Sequence, residues 1–153
     1  MKLIVCLDDN KGMMFNKRRQ SRDRMLIENV IELSEGERIT AIIPVSEFKE
    51  NQKLVMVTQN AVIKRVPLMD FRRRRASGLF AINLDEGDKL LYVLKTSGDE
   101  EIIIASNKGM AVRFKETDVR PMGRGATGVT GIKLNSGDRV ISAEVCREGA
   151  TVL

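Results

Sequence analysis

Residues 54–84, LVMVTQNAVIKRVPLMDFRRRRASGLFAINL, decide the fold. An apolar, β-branched run at 54–57 leads into the polar turn Thr58-Gln59-Asn60, and a second run then carries Lys64 and Arg65. Short continuous apolar runs bounded by turn residues are the pattern of strands covered on both faces. After Pro67 come four arginines, Arg72, Arg73, Arg74 and Arg75, then Ala76-Ser77-Gly78 and a third apolar run ending at Leu84. Positive charge therefore gathers on a connection, while the flanking runs stay apolar.

The same frame recurs along the chain. The turns Glu35-Gly36-Glu37-Arg38, Glu86-Gly87-Asp88-Lys89 and Ser136-Gly137-Asp138-Arg139 place their glycines about 50 residues apart, each between two apolar runs. A second marker keeps nearly the same spacing: Asn107-Lys108-Gly109-Met110 opens the run 111–114, Asn60-Ala61 holds the matching place, and Asn10-Lys11-Gly12-Met13 is a third copy. Two markers in register predict a repeat with one four-stranded β unit per period, as in propellers. A β-sandwich with regular turns is the alternative. The run 102–105 predicts a second strand buried on both faces. Only residues 21–32, with Met25, Leu26 and Val30, have loosely helical spacing, and the repeat instead makes 27–33 a strand.

Length and composition narrow the chemistry. The 153 residues fit about one domain. The chain has no histidine, which removes the usual general base and most mixed zinc sites. Aromatics are 4%, too few for the stacking platforms of single-strand binders. Cys6 and Cys146 form no C-x-x-C pair and read as reduced intracellular thiols. The opening apolar run, residues 3–7, is cut by Asp8-Asp9, so neither a signal peptide nor a membrane span is expected, and a cytoplasmic location follows.

Several motifs have ordinary readings. Gly123-Arg124-Gly125-Ala126-Thr127-Gly128 spells G-x-G-x-x-G, but Pro121 precedes it and an alternating run, 129–134, follows where the dinucleotide fingerprint needs a helix. It reads as a loop needing positive φ or close approach. Asp8-Asp9, Asp99-Glu100-Glu101 and Glu116 with Asp118 read as solvated turns, with no metal or acid–base pair expected. Tyr92 reads as a sheet residue.

The basic residues are the stronger signal. Lys64, Arg65, Arg72, Arg73, Arg74 and Arg75 face one acid, Asp70, over twelve positions. The next unit supplies Arg113, Lys115, Arg120 and Arg124 at related places, and the first supplies Lys17, Arg18, Arg19, Arg22 and Arg24. Recurrence at one position of a stacked unit would line one edge of the assembly with cations. Duplex DNA is the expected partner, bound through phosphates without base-reading aromatics. An acidic protein docked on the same edge is the alternative.

The phrases EGERITAIIPVSEF, LVMVTQNAVIKRVPLMDF, SGLFAINLDEGDKL, ASNKGMAVRFKETDVRPMGRGATGVTGIKL and SGDRV resemble the C-terminal DNA-wrapping domain of the DNA gyrase A protein. The topoisomerase IV counterpart is similar. The resemblance implies an all-β, propeller-like β-pinwheel fragment of about two four-stranded antiparallel blades plus partial blades. It covers residues 30–153, while residues 1–29 match poorly, either as a divergent partial blade or as a foreign extension. It implies a duplex-wrapping module of an ATP-dependent type II topoisomerase, with the remainder of gyrase A and gyrase B as partners. The family's cleavage tyrosine, metal-binding acids and ATP site have no counterpart in this chain, so no cofactor is expected. The family's glutamine-arginine-glycine-rich box is absent in recognisable form, and Ala61 stands where a turn glycine is usual. An open array of so few blades leaves sheet edges unpaired, which predicts self-association.

Overall fold

The computed structural model describes residues 2–8, 13–18, 38–73 and 78–150, with side chains from residue 39 onward. The described chain is all-β. Strands β1 (Lys2–Asp8), β2 (Met13–Arg18), β3 (Arg38–Val45), β4 (Lys53–Thr58), β5 (Val62–Pro67), β6 (Leu79–Phe80), β7 (Leu90–Thr96), β8 (Glu101–Ser106), β9 (Ala111–Lys115), β10 (Val129–Thr130) and β11 (Val140–Val145) are joined by turns. Two of these turns are 3-10 helical, Leu68–Phe71 and Glu116–Asp118. The residues 10–12, 21–33 and 35–37, which carry a turn marker, a helix-or-strand choice and a Gly turn in the sequence, lie outside the described residues.

The strands make three antiparallel sheets, ordered β3-β1-β2-β6, β10-β5-β4-β7 and β11-β8-β9. Each has the same nucleus: a hairpin, with a third strand laid against its first member. That third pairing carries one bulge in every sheet, at Cys6/Leu7, Val57/Thr58 and Val140/Ser142. Consecutive sheets are laced together. β6 follows β5 in the chain but pairs back with β2, and β10 follows β9 but pairs back with β5.

The repeated turns are built by the same hydrogen bonds. Thr58 O accepts Ala61 N–H at 3.1 Å, and Ser106 O accepts Gly109 N–H at 3.1 Å. Ala61 at φ 65 and Gly109 at φ 82 are both left-handed. This equates Ala61 with Gly109 and Asn60 with Lys108, one residue away from the register suggested by pairing Asn60 with Asn107. The aspartates of the Gly-Asp turns fasten these hairpins: Asp88 Oδ1 accepts Asn60 N–H at 3.0 Å, and Asp138 Oδ1 accepts Lys108 N–H at 3.0 Å.

Two cores lie between the sheets. Along β4, Leu54 and Met56 enter the core shared with β3, while Val55 and Val57 enter the core shared with β8. A period of two thus explains the unbroken apolar run, since neighbouring residues face opposite sheets. β8 departs from the expectation. Ile102 and Ile104 are fully buried, but Ile103 and Ala105 are half-buried, because no described sheet covers that face. The apolar runs ending at Leu84 and Leu134 are also shorter as strands than they read, with only two ladder residues each. Beyond them the chain crosses between sheets, yet Ile82 is still 1% exposed.

Candidate nucleic-acid interface

Lys64 and Arg65 read from the sequence as part of an exposed basic edge, and the structure corrects both. Lys64 is fully buried on β5. Its Nζ donates to Ala81 O at 2.7 Å and to Arg124 O. Burial, followed by the nearby Arg124 charge, pulls its pKa from 10.5 down to about 8. A buried ammonium is tolerated only where acceptors replace water, and two loop carbonyls do so here. Lys64 therefore pins the loop that carries Arg124 to the segment after β6.

Arg65, one residue on, points to the opposite face of the sheet. It is 6% exposed. Its Nη1 lies 3.5 Å from Glu116 Oε2 and donates to Gly98 O at 3.3 Å. Glu116, which the sequence places in a solvated turn, is also buried completely. Its carboxylate accepts the N–H groups of Gly98 and Glu100 at 2.9 and 3.0 Å and the Thr96 hydroxyl at 2.8 Å. The knot ties β5 to the β7–β8 turn and to the end of β9. Neither partner is available to a phosphate.

The remaining cations lie outside. Arg72 and Arg73 are exposed where the Leu68–Phe71 turn ends, and Arg120 is exposed just after the Glu116–Asp118 turn. These turns follow the equivalent strands β5 and β9, so the exposed arginines recur at one place in successive sheets. Lys115 is exposed at the end of β9. Arg124 is half-buried, and its Nη1 donates to Phe80 O at 3.3 Å, which sets it beside β6 and an exposed Phe80. Arg74 and Arg75 lie outside the described residues. Arg113 is exposed but held by Glu101, whose hydrogen bond and charge raise its pKa.

The loop 123–128 runs into a two-residue strand, with no helix after it. Gly128 is the position that demands glycine. Its φ is +120, and a Cβ there would sit 2.6 Å from Ile63 O. The acidic residues of the turns have structural work. Burial pushes the Asp138 carboxyl up, but the Ser106 hydroxyl and the N–H groups of Arg139 and Lys108 hold it below its ordinary value. Among the described residues no three His, Cys, Asp or Glu side chains group as a metal site, and no helix is long and apolar enough to cross a membrane.

The family profile described as "DNA gyrase C-terminal domain, beta-propeller" matches residues 19–46, 52–97 and 100–147. The DNA gyrase A protein of Escherichia coli (strain K12) is 45% identical over 135 residues, which cover 88% of this chain and 15% of that protein. The DNA gyrase A protein of Buchnera aphidicola subsp. Baizongia pistaciae is 36% identical over 159 residues, covering 99% of this chain and 18% of that protein. The chain thus spans less than about a fifth of the curated relatives it matches. Among solved structures, the C-terminal domain of DNA topoisomerase IV superposes with a TM-score of 0.82 at 28% identity, over 95% of this chain and 47% of that one. The DNA gyrase A C-terminal domain gives 0.77 at 28%, over 94% and 47%.

Proposed function

We propose that this chain, which belongs to the DNA gyrase C-terminal domain family, holds duplex DNA against the outer edge of its stacked sheets and does no bond-breaking chemistry itself. The carrying observation is the recurrence of exposed Arg72 and Arg120 after the equivalent strands of consecutive sheets. Arg73, Arg74, Arg75, Lys115 and Arg124 complete the phosphate-binding track. Lys64 and Arg65 act one step behind it, by fixing the loops and sheets that carry those side chains. Arg113 is set apart from the track by its pairing with Glu101.

The larger assembly is proposed by family membership: the rest of gyrase A together with gyrase B, working on cytoplasmic DNA, with the wrapped segment favouring negative supercoils. The pairing of β1 with β2 and β3 supports reading residues 2–8 and 13–18 as part of the first blade. The higher TM-score to topoisomerase IV favours that sister enzyme as a second reading, whereas the 45% identity favours gyrase A.

A gel-shift series with unrelated duplexes at rising salt tests the proposal. If about six phosphates are neutralised, log K falls against log salt with a slope near −5. Replacing residues 72–75 with alanine weakens all sequences about equally and flattens that slope. A loss confined to one sequence would contradict phosphate binding. An acidic protein that binds this edge while DNA does not would transfer the site to the other partner class.

A further inference from the structure

We infer that Phe80 packs on the sugar edge of the bound duplex and selects deoxyribose over ribose. The inference rests on the duplex binding proposed above and adds to it a contact that charge alone does not supply. Phe80 is 58% exposed. Phe71 is buried, and Phe48, Tyr92 and Phe114 are half-buried, so Phe80 is the one exposed aromatic among the described side chains. A single exposed apolar residue is ordinary on a protein surface. The cations around this one give it a use.

The exposure belongs to the place in the blade. Gly78 and Gly128 have positive φ, 74 and 120, and each immediately precedes a two-residue strand, Leu79-Phe80 and Val129-Thr130. Phe80 thus corresponds to Thr130. Leu79 enters the first core, which turns Phe80 away from the second sheet. On β10, Val129 pairs with Ile63 of the second core, so Thr130 is turned the other way, toward the first sheet. Thr130 is exposed even so. The outermost strand stands clear of the sheet that precedes it, and a ring at this place stays open to a ligand.

Arg124 Nη1 donates to Phe80 O at 3.3 Å, and exposed Arg72 and Arg73 stand on the connection that leads into β6. The backbone under the ring is fixed. Phe80 pairs with Met13 on β2, and Lys64 Nζ holds the next carbonyl, Ala81 O, at 2.7 Å together with that of Arg124. Sugars lie between successive phosphates, so a ring set beside phosphate-binding guanidinium groups meets sugar C–H groups. In DNA the sugar carries a 2′-methylene, and covering it with the ring is an apolar gain. In RNA it carries a 2′-hydroxyl, and pressing that group against the ring strips its water without replacing it. Arginines on phosphates offer no such choice, because both duplexes present the same charged groups.

Binding of the full chain to DNA and RNA duplexes of one sequence tests this, and the wild type favours DNA. Phe80→Ala weakens DNA binding on the order of 10-fold, the loss expected for uncovering most of a phenyl ring. It leaves RNA binding within about twofold, since the ring gains nothing on a 2′-hydroxyl. The slope of log K against log salt is unchanged, because no charge is removed. Phe80→Leu retains most of the preference. The side chain is exposed, so circular dichroism of both variants matches the wild type. A wild type indifferent to the sugar, equal losses on DNA and RNA, no loss on either, or a flatter salt slope would overturn the inference and leave phosphate binding in place. A wild type that binds neither duplex would overturn both.

Discussion

Arg65 and Arg113 occupy one position in successive sheets and meet opposite fates. Arg65 sits under the third sheet and reaches Glu116, with side-chain exposures of 7% and 0%. No described sheet lies above Arg113, which turns to Glu101 on the adjacent strand, at 63% and 37%. Residue type and strand register are the same, so the neighbouring sheet alone decides whether the guanidinium is structural or solvated. In a stacked array, burial belongs to the pair of sheets and not to the residue.

The sharpest way to break this comparison is to remove each carboxylate. Glu116→Ala strands a buried guanidinium that already has an unbonded Nε, and it costs about 3–5 kcal/mol in chemical denaturation. Glu101→Ala leaves the midpoint within experimental error, because water takes over the exposed guanidinium. Equal losses at the two sites would mean that the third sheet does not shield Arg65.

The second contrast lies within one loop. Gly128→Ala places a methyl group against Ile63 O at a left-handed φ and costs about 3 kcal/mol. It also loosens β10 from β5, which hydrogen exchange at Ile63 would detect. Gly125 has open space around it, so Gly125→Ala stays within about 0.5 kcal/mol. If both substitutions are neutral, β10 does not cap the second sheet.

Lys64 gives a pH-dependent test of the same sheet. Its folded pKa, about 8, lies below 10.5, so the unfolded chain holds more protons between those values. Stability from this group therefore rises as pH climbs from 8 toward 10.5, by at most about 3 kcal/mol. The readout is the difference between the wild type and Lys64→Met, since the other lysines titrate in both. A Met variant with an unchanged pH slope would show that the ammonium is solvated.

The strands, the Gly-Asp turns and the stacking were legible because each is local: a period of two, a turn residue, a spacing. Arg72 and Arg120 were legible too, as exposed charge on connections. Lys64 misled because its acceptors, the carbonyls of Ala81 and Arg124, come from loops far along the chain, and no pattern around residue 64 announces them. Glu116 misled for the same reason, with three of its partners in the residues 96–100 and the fourth on β5. The brevity of β6 and β10 depends on where the chain leaves one sheet for the next, which alternation does not record. Local chemistry reads out the blades, while the contacts between blades decide which cations face solvent.

The smallest expected effect separates the two hairpin turns. Gly109 is left-handed and its would-be Cβ has open space, so Gly109→Ala measures backbone strain alone and costs about 1 kcal/mol. Ala61 already bears that strain at φ 65, but its methyl group is completely buried in the second core. Ala61→Gly relieves about 1 kcal/mol of strain and forfeits a buried methyl worth about 0.8 kcal/mol, so its denaturation midpoint moves little. A clear gain on Ala61→Gly would show that the methyl group contributes nothing, and that the second core is looser at this turn than the burial of its neighbours indicates.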